Sequence, residues 1–206
     1  MGRMSTSPAP GARAAARRRV REALTSSARS LVAAEGFDGT TIDMITAGAG
    51  VSRRTFFRYF DTKESVLLDA YESLGAHIVA ALRARPSGER PWPAMRHAFV
   101  ALAPSVDNAE HRSAERALHA VYAASPRLLA KRQERRQATI AACARVLVAR
   151  EAEAGRDLTP AEAAAVAGAA FACFAAAESR FLDDDGVSAV EALDAMLARL
   201  DSEIRA

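Results

Sequence analysis

The chain has 206 residues, half of them apolar, and a net charge of only +3. This length and composition are typical of a globular protein with a buried core and exclude a disordered chain. No stretch of about 18 uncharged apolar residues predicts a membrane span, and no apolar core with a cleavage site predicts a signal peptide. Cys143 and Cys173 lie in apolar helical patterns, so we expect two buried, reduced thiols in a cytoplasmic protein.

The positive charge is concentrated at one end of the chain. Residues 1–60 contain ten arginines and four acidic residues, whereas the remainder carries a net charge of −3. A basic segment on a mildly acidic body favours a polyanionic partner for that segment. A solvated arginine tail without a partner explains the charge distribution equally well.

The first predicted elements are a tail and two helices. Residues 1–13 are small and rich in proline and glycine, which predicts disorder. A helical period of apolar residues begins at Ala14 and ends at Gly36. A short second helix follows, and Gly48 and Gly50 mark its end.

Helical patterns continue through the rest of the chain. Ser52 caps a third helix that ends near Phe60, and a fourth follows directly until Pro86–Pro93 interrupts the pattern. Further periodic segments cover residues 94–106, 110–124, 126–154, 160–183 and 187–204. No useful alternating pattern predicts a strand, so we expect an all-α fold of about nine helices.

The segment Thr40–Lys63, TTIDMITAGAGVSRRTFFRYFDTK, predicts a helix, a glycine-containing turn and a second helix too short to be stable alone. Phe56 and Phe60 are four residues apart and share the buried face of that second helix. Arginine forks bind guanine edges and phosphates, and hydroxyl groups bind phosphates. Exposed arginines on an amphipathic helix are common, but the turn and the basic N-terminal bias favour DNA binding. The open faces carry Arg53, Arg54, Thr55, Arg58 and Tyr59.

A first helix that ends in Gly-Phe is followed by the segments TTIDMI, AGVS, TFFRYF and TKE. With this arrangement, residues 17–68 resemble the TetR family of bacterial repressors. The match is to a variant of that family with an RRTFFRYF recognition helix. The resemblance implies a helix-turn-helix DNA-binding domain over residues 14–62 and a helical ligand-binding and dimerisation domain over 63–206. The residues that it implies for DNA binding are Thr41, Arg53, Arg54, Thr55, Tyr59 and Lys63. The cap Ser52 and the open-face Arg58 of the third helix complete the predicted DNA-binding set.

Some positions depart from the family pattern. Phe57 stands where tyrosine is common, so one hydrogen bond from a phenol to a phosphate cannot form. Thr46 stands where a small alanine is usual. Gly48 weakens the end of the second helix by about 1 kcal/mol relative to alanine. These differences affect individual contacts rather than the module.

The resemblance also implies a dimer, formed through the last two predicted helices. The segment AEAAAVAGAAFACFAAAESRFL is dense in small residues that permit close helix approach, although a monomer core would have the same composition. Arg127, Arg132, Arg135 and Arg136 form a basic run that we interpret as solvated surface.

Large apolar residues in the middle of the chain could line a pocket for an apolar effector, with a histidine or tyrosine as polar anchor. Ordinary core packing is the alternative interpretation for each of them. The residues predicted to contact the ligand are Trp92, Met95, Phe99, Leu102, His119, Tyr122 and Phe174.

The histidines lack metal-ligand spacing, and no nucleophile elbow, phosphate-binding loop or dinucleotide fingerprint is present. We therefore expect no enzyme activity, no metal and no cofactor. The predicted function is that of a ligand-responsive regulator, a homodimeric repressor that binds a palindromic operator and is released by a small, largely apolar effector. An effector-independent architectural DNA-binding protein is one alternative, and a helical enzyme or carrier with a vestigial N-terminal module is another.

Overall fold

The structure, a computed structural model, describes residues 10–102 and 109–205, so most of the tail predicted over residues 1–13 lies outside the described residues. The described residues form nine α-helices and no strand, which confirms the predicted all-α fold. The helices are α1 (Pro10–Gly39), α2 (Ile42–Gly48), α3 (Arg53–Tyr59), α4 (Lys63–Arg83), α5 (Pro91–Val100), α6 (Ala109–Ala124), α7 (Pro126–Glu153), α8 (Pro160–Asp183) and α9 (Ala189–Arg205).

The chain divides into two compact units, Met1–Ala70 and Tyr71–Ala206. Helices α1–α3 and the start of α4 belong to the first unit, and the rest of α4 belongs to the second unit with α5–α9. The first unit has a core of apolar residues that lie three or four positions apart within each helix and therefore share a face. These buried residues include Leu24, Ala28, Val32, Ile45, Phe56, Phe60, Val66 and Leu67.

Helix α1 is interrupted at Gly36, where the sequence predicts its end. Gly36 has a φ of 74°, a left-handed conformation that glycine adopts at little cost. The Thr40 hydroxyl donates to the Gly36 carbonyl at 2.8 Å and satisfies an acceptor near the interruption. The helix begins at Pro10, ahead of Ala14, because the alanines and arginines that follow are strong helix formers.

Helices α1 and α2 approach closely at Gly48. The Ser27 hydroxyl donates to the Ile45 carbonyl at 3.0 Å, and a Cβ on Gly48 would clash with that hydroxyl oxygen. The glycine that weakens the end of α2 therefore permits this contact. Thr46 is buried, and its hydroxyl donates to the Asp43 carbonyl at 3.0 Å, so its polar group is satisfied.

Asp69 joins α4 to α1 within the first unit. Asp69 is only 6% exposed. Its carboxylate accepts hydrogen bonds from the Thr25 hydroxyl at 2.9 Å and from the Arg21 guanidinium. A carboxylate at this depth needs such partners, because burial of an unpaired charge is strongly unfavourable. The polar contact fixes the side of α1 that faces α4.

The second unit is centred on α8, which packs against α5, α7 and α9. A capping box starts α8: the Thr159 hydroxyl accepts from the Glu162 backbone at 3.3 Å, and the Glu162 carboxylate accepts from the Thr159 backbone at 2.8 Å. Ala163, Ala167 and Ala170 are completely buried, so small side chains set the close approach of its neighbours.

Helices α4 and α8 are long and apolar enough to cross a membrane when judged by length and composition alone. Packing within the two units accounts for part of this composition. Helix α8 buries Ala163 and Phe171 in the core of the second unit. Helix α4 buries Val66 among the apolar residues of the first unit and Ile78 in the core of the second.

Both cysteines are free thiols. Cys143 is buried, as predicted, and burial raises its pKa to about 11, so it stays protonated at neutral pH. Cys173 is only half-buried, and its Sγ donates to the Met196 carbonyl at 3.7 Å.

Candidate nucleic-acid interface and effector cavity

Hydroxyl caps start α2 and α3, and a glycine lies in the turn between the two helices. The Thr41 hydroxyl accepts from the Met44 backbone at 3.2 Å, and the Ser52 hydroxyl accepts from the Thr55 backbone at 3.1 Å. Gly50, between the two helices, has a φ of 64°. The cap uses the Thr41 oxygen as acceptor, so its hydroxyl hydrogen remains free to donate to a phosphate.

Helix α3 separates a buried face from a cationic one. Phe56 is 0% exposed, and its ring centroid lies 5.8 Å from that of Phe60, as their four-residue spacing predicts. Arg54 and Arg58 are exposed and have no ion-pair partner among the described residues. The open face of the helix can therefore attract phosphates or guanine edges.

Arg53 has a partner, but a weak one. Its Nη1 lies 3.0 Å from the Asp43 carboxylate, and the two side chains are 59% and 63% exposed. An ion pair with this exposure contributes less than about 1 kcal/mol. Arg53 can therefore exchange Asp43 for a phosphate or a base edge.

Phe57 places an apolar ring on the same face. It is 49% exposed, and its ring packs edge-to-face against that of Phe56 at a centroid distance of 5.4 Å. Phe57 lines an open groove with Ser52, Arg54, Thr55 and Arg58. At a position where the family pattern commonly has tyrosine, the Phe57 ring offers an apolar contact in place of a hydroxyl group.

Lys63 is engaged within the first unit. Its Nζ donates to the carbonyls of Phe37 and Thr40, the latter at 2.8 Å, and lies 4.0 Å from the centroid of the Phe37 ring. These carbonyls follow the Gly36 interruption of α1, where backbone carbonyls lack N–H donors from a following helical turn. Lys63 thus holds the start of α4 to the end of α1, and one of its three N–H groups remains for a phosphate.

A cavity lies among α4, α7 and α8 of the second unit. Its volume of about 20 Å³ holds about one water molecule and is far below that of a ligand pocket. Of the seven residues predicted to contact a ligand, Phe174 lines this cavity. Its apolar lining includes Leu74, Ile78, Phe171 and Phe174, and its polar lining includes Tyr71, Arg136 and Glu178.

Several of the residues predicted to contact a ligand lie in or against the core of the second unit. Met95 and Phe99 are almost completely buried, and the Phe99 ring packs edge-to-face against Phe171 at 5.0 Å. Trp92 and Leu102 pack against the same core. The Trp92 Nε1 is buried and finds no hydrogen-bond partner in the described part of the chain.

The inward orientation of Arg132 and Arg136 corrects the prediction that the arginine run is solvated surface. The Arg132 side chain is 12% exposed, and its Nη2 lies 2.6 Å from the Tyr71 hydroxyl and 3.1 Å from the Glu178 carboxylate. Burial raises the Glu178 pKa, but the His119 hydrogen bond and the Arg132 charge together outweigh burial. The pKa therefore lies below its usual value, and Glu178 stays ionised. Burial, helped by the Glu178 charge, raises the pKa of Tyr71 to about 12.

The same cluster contains residue types that bind metals. Glu115, His119 and Glu178 each place one ligand atom within 4.8 Å of the others, a set that suits zinc. Arg132 lies 3.2 Å from the His119 Nε2, so its guanidinium already supplies the positive charge that a metal would bring. The Arg132 guanidinium also lies 5.0 Å from the centroid of the Tyr122 ring.

Family comparisons match both units. A model of bacterial regulatory proteins of the tetR family matches residues 24–70, and a model of the MftR C-terminal domain matches residues 89–205, more than half of the chain. The chain belongs to the TetR family of DNA-binding transcriptional regulators.

Individual relatives agree with this assignment. The HTH-type transcriptional regulator TcmR of Streptomyces glaucescens is 36% identical over 151 residues, which are 71% of this chain and 67% of TcmR. A TetR-family crystal structure from Mesorhizobium loti has a TM-score of 0.60 at 18% identity and covers 93% of this chain and 96% of its own. The TetR-family repressor FadR of Thermus thermophilus, in complex with lauroyl-CoA, has a TM-score of 0.54 at 25% identity, with coverages of 86% and 91%.

Proposed function

We propose that this TetR-family regulator is a ligand-responsive repressor that binds a palindromic operator as a homodimer in the cytoplasm. A small, largely apolar effector releases it from DNA. The observation that carries the proposal is the open face of α3, where Arg54 and Arg58 have no acidic partner among the described residues and Phe56 anchors the helix. A short cationic helix after a glycine turn is suited to the major groove.

Each predicted contact has a role in this proposal. Arg54 and Arg58 bind base edges or phosphates, and Arg53 does so after leaving Asp43. Hydroxyl groups at the helix starts and along α3 donate to phosphates and set the register on the duplex. The residues with this positioning role are Thr41, Ser52, Thr55 and Tyr59, and Lys63 supports them by holding α4 to α1.

The exposed face of α8 supports the proposed homodimer. Ala161, Ala165, Ala172 and Ala176 are exposed and follow a helical spacing, whereas Ala167 faces the unit's own core. Small side chains allow two copies of a helix to approach closely across a twofold axis. Such a dimer has to hold its recognition helices about 34–36 Å apart to contact successive major grooves.

Helix α9 is only partly available for this interface. Leu193 and Leu197 are buried in the core of the second unit, and Val190 and Met196 pack partly against it. Leu200 is half-buried. The interface that we propose therefore uses α8 as its centre and the outer side of α9 as its edge.

Effector binding is the part of the proposal that concerns the second unit. The complex of the related FadR with lauroyl-CoA supports a ligand with an apolar portion. The cavity of about 20 Å³ has to widen before such a ligand fits. Ligand binding would thus favour a second conformation, and release from DNA requires that only the first one match the operator.

A binding-site selection followed by gel shifts tests the proposal. We expect a palindromic sequence to bind at least about 1000-fold more tightly than random duplex at physiological salt. Arg54→Ala should weaken operator binding by about tenfold or more, because a base contact is worth about 1–3 kcal/mol. Arg145→Ala, at an exposed position of α7, is the matched control and should bind as the wild type does.

The same measurements decide between the alternatives. Equal affinity for random and selected duplexes would reject the repressor and favour an architectural protein that coats DNA. The large helical second unit argues against that alternative, because a protein that only coats DNA does not need it. A helical enzyme or carrier with a vestigial DNA-binding unit predicts no binding to either duplex.

A further inference from the structure

Arg136 is a cation on the wall of a largely apolar cavity. It is half-buried, lines the cavity among α4, α7 and α8, and has no carboxylate partner in the described part of the chain. Its Nη2 donates to the Phe171 backbone carbonyl at 2.7 Å. A guanidinium has five N–H donors, so this hydrogen bond leaves most of its donors for another partner.

Glu178 lines the same cavity but is already neutralised. Its carboxylate lies 3.1 Å from the Arg132 guanidinium and 3.6 Å from the His119 ring nitrogen. Arg132 and Glu178 together carry no net charge. The positive charge of Arg136 at the cavity wall is therefore not neutralised by Glu178. The low dielectric of the cavity strengthens the attraction of this charge for an anion.

The rest of the wall is suited to an apolar body. Leu74 and Ile78 of α4 lie across the cavity lining from Phe171 and Phe174 of α8. Aliphatic and aromatic side chains with one convergent charged group are the usual lining of a site for a small amphipathic ligand. An arginine in such a lining is suited to a carboxylate or sulfonate, whose oxygens match its fork.

We infer that this cavity is the binding site of an amphipathic anion, whose acidic group binds Arg136 and whose apolar body packs against Leu74 and Phe174. The inference rests on the proposed function, because it names the chemical class of the effector. The ligand has to widen the cavity near Gly75, where a Cβ would lie only 2.5 Å from the Thr139 hydroxyl oxygen. This close contact between α4 and α7 borders the cavity, and its separation makes room for the ligand.

Two fluorescent probes that differ in one charged group test the inference. Anilinonaphthalene sulfonate carries an acidic group on an aromatic body, and N-phenylnaphthylamine is the same ring system without it. Each is titrated into the full chain in the absence of DNA. We expect the sulfonate to bind about tenfold more tightly than the neutral amine, a difference of about 1.4 kcal/mol.

Variants at one position assign the effect to Arg136. Arg136→Met keeps an unbranched stem but removes the charge, and it should weaken sulfonate binding by about tenfold, with little change for the amine. Arg136→Lys retains the charge and should keep most of the sulfonate affinity. Arg127→Met, at an exposed position of the same helix, should change neither affinity. Circular dichroism establishes that each variant is folded.

Three results would overturn the inference: equal affinities for the two probes, an unchanged sulfonate affinity in Arg136→Met, or equal losses in the methionine and lysine variants. The titrations contain no DNA, so a failure of operator binding does not affect them. Sulfonate binding that depends on Arg136 in a protein without operator preference would support the site and reject the repressor. Operator binding in a protein whose sulfonate affinity does not depend on Arg136 would support the repressor and reject the site.

Discussion

The Arg53 guanidinium lies 3.0 Å from the Asp43 carboxylate, so an ion pair ties the first residue of α3 to α2. Both side chains are more than half exposed, and the pair therefore adds little to the free energy of unfolding. We propose that this ion pair instead affects DNA recognition. Asp43 orients Arg53 and also places a negative charge near any bound phosphate.

Replacement of this carboxylate should change binding more than stability. In Asp43→Asn, we expect affinity for random duplex to rise about threefold, because a charge that repels phosphates is lost. The preference for operator over random duplex should fall, since Arg53 loses its orienting partner. Fluorescence anisotropy with both duplexes at several salt concentrations measures the two effects. The proposed role is wrong if Asp43→Asn weakens both complexes equally, and Glu22→Gln, at an exposed position of α1, is the control.

Gly50 should resist substitution because of its backbone. Its φ of 64° is unfavourable for side chains with a Cβ, and Gly50→Val should lower the free energy of unfolding by about 1–2 kcal/mol. Asparagine tolerates this conformation better, so Gly50→Asn should cost less. Urea denaturation measures both. Gly88→Ala is the control, since a Cβ there meets nothing within 4 Å, and an equal cost at Gly50 and Gly88 would contradict the prediction.

The buried carboxylate of Asp69 should matter more than an exposed one. Asp69→Asn removes the charge that Arg21 and Thr25 bond to, and we expect the free energy of unfolding to fall by about 2 kcal/mol. Glu22→Gln breaks the exposed pair with Arg18, whose atoms lie 3.7 Å apart, and should change it by less than about 0.5 kcal/mol. Similar denaturation midpoints for the two variants would rule out a structural role for Asp69.

Tyr71 should make stability depend on pH in the alkaline range. Its pKa is raised from 10.0 to about 12 in the folded protein, so the native state retains the proton more tightly than the unfolded state does. The stabilisation is complete below pH 10.0 and is lost as pH rises towards about 12. Ultraviolet titration should show the ionisation of Tyr71 as a late phase. The amplitude of this late phase should be smaller in Tyr71→Phe than in the wild type, and an unchanged amplitude would refute the assignment.

The exposed small-residue face of α8 should control the oligomeric state. We expect Ala172→Glu to convert the proposed dimer to monomer, because a buried carboxylate at a close helix contact would have no partner. Sedimentation velocity measures the change, and operator affinity should fall with it. Ala141→Glu introduces the same charge on an exposed face of α7 and should remain dimeric. A dimeric Ala172→Glu protein would exclude this face as the interface.

The helices and the core of the first unit could be predicted because their signals are local. The four-residue spacing of Phe56 and Phe60 predicts one buried face, and both residues are buried. Gly36 and Gly50 were predicted to end helices, and both have positive φ values. Periodicity and glycine position depend on neighbours within one or two helical turns, which the sequence displays directly.

Side chains whose partners are distant in sequence were harder to predict. Lys63 binds a carbonyl 26 residues away, and Arg132 binds a carboxylate 46 residues away. A usable signal was nevertheless present on α7. Arg132 and Arg136 share a helical face with Cys143, which is buried, so that face predicts inward-pointing arginines.

The contacts of Lys63 have a practical consequence for covalent labelling. The chain contains two lysines, Lys63 and Lys131. Lys131 is exposed on α7, whereas the Lys63 amine is held by two backbone carbonyls and an aromatic ring. An amine-reactive dye at low excess should therefore modify the Lys131 side chain before that of Lys63. A dye on Lys131 leaves the Lys63 amine of the proposed DNA-binding surface unmodified.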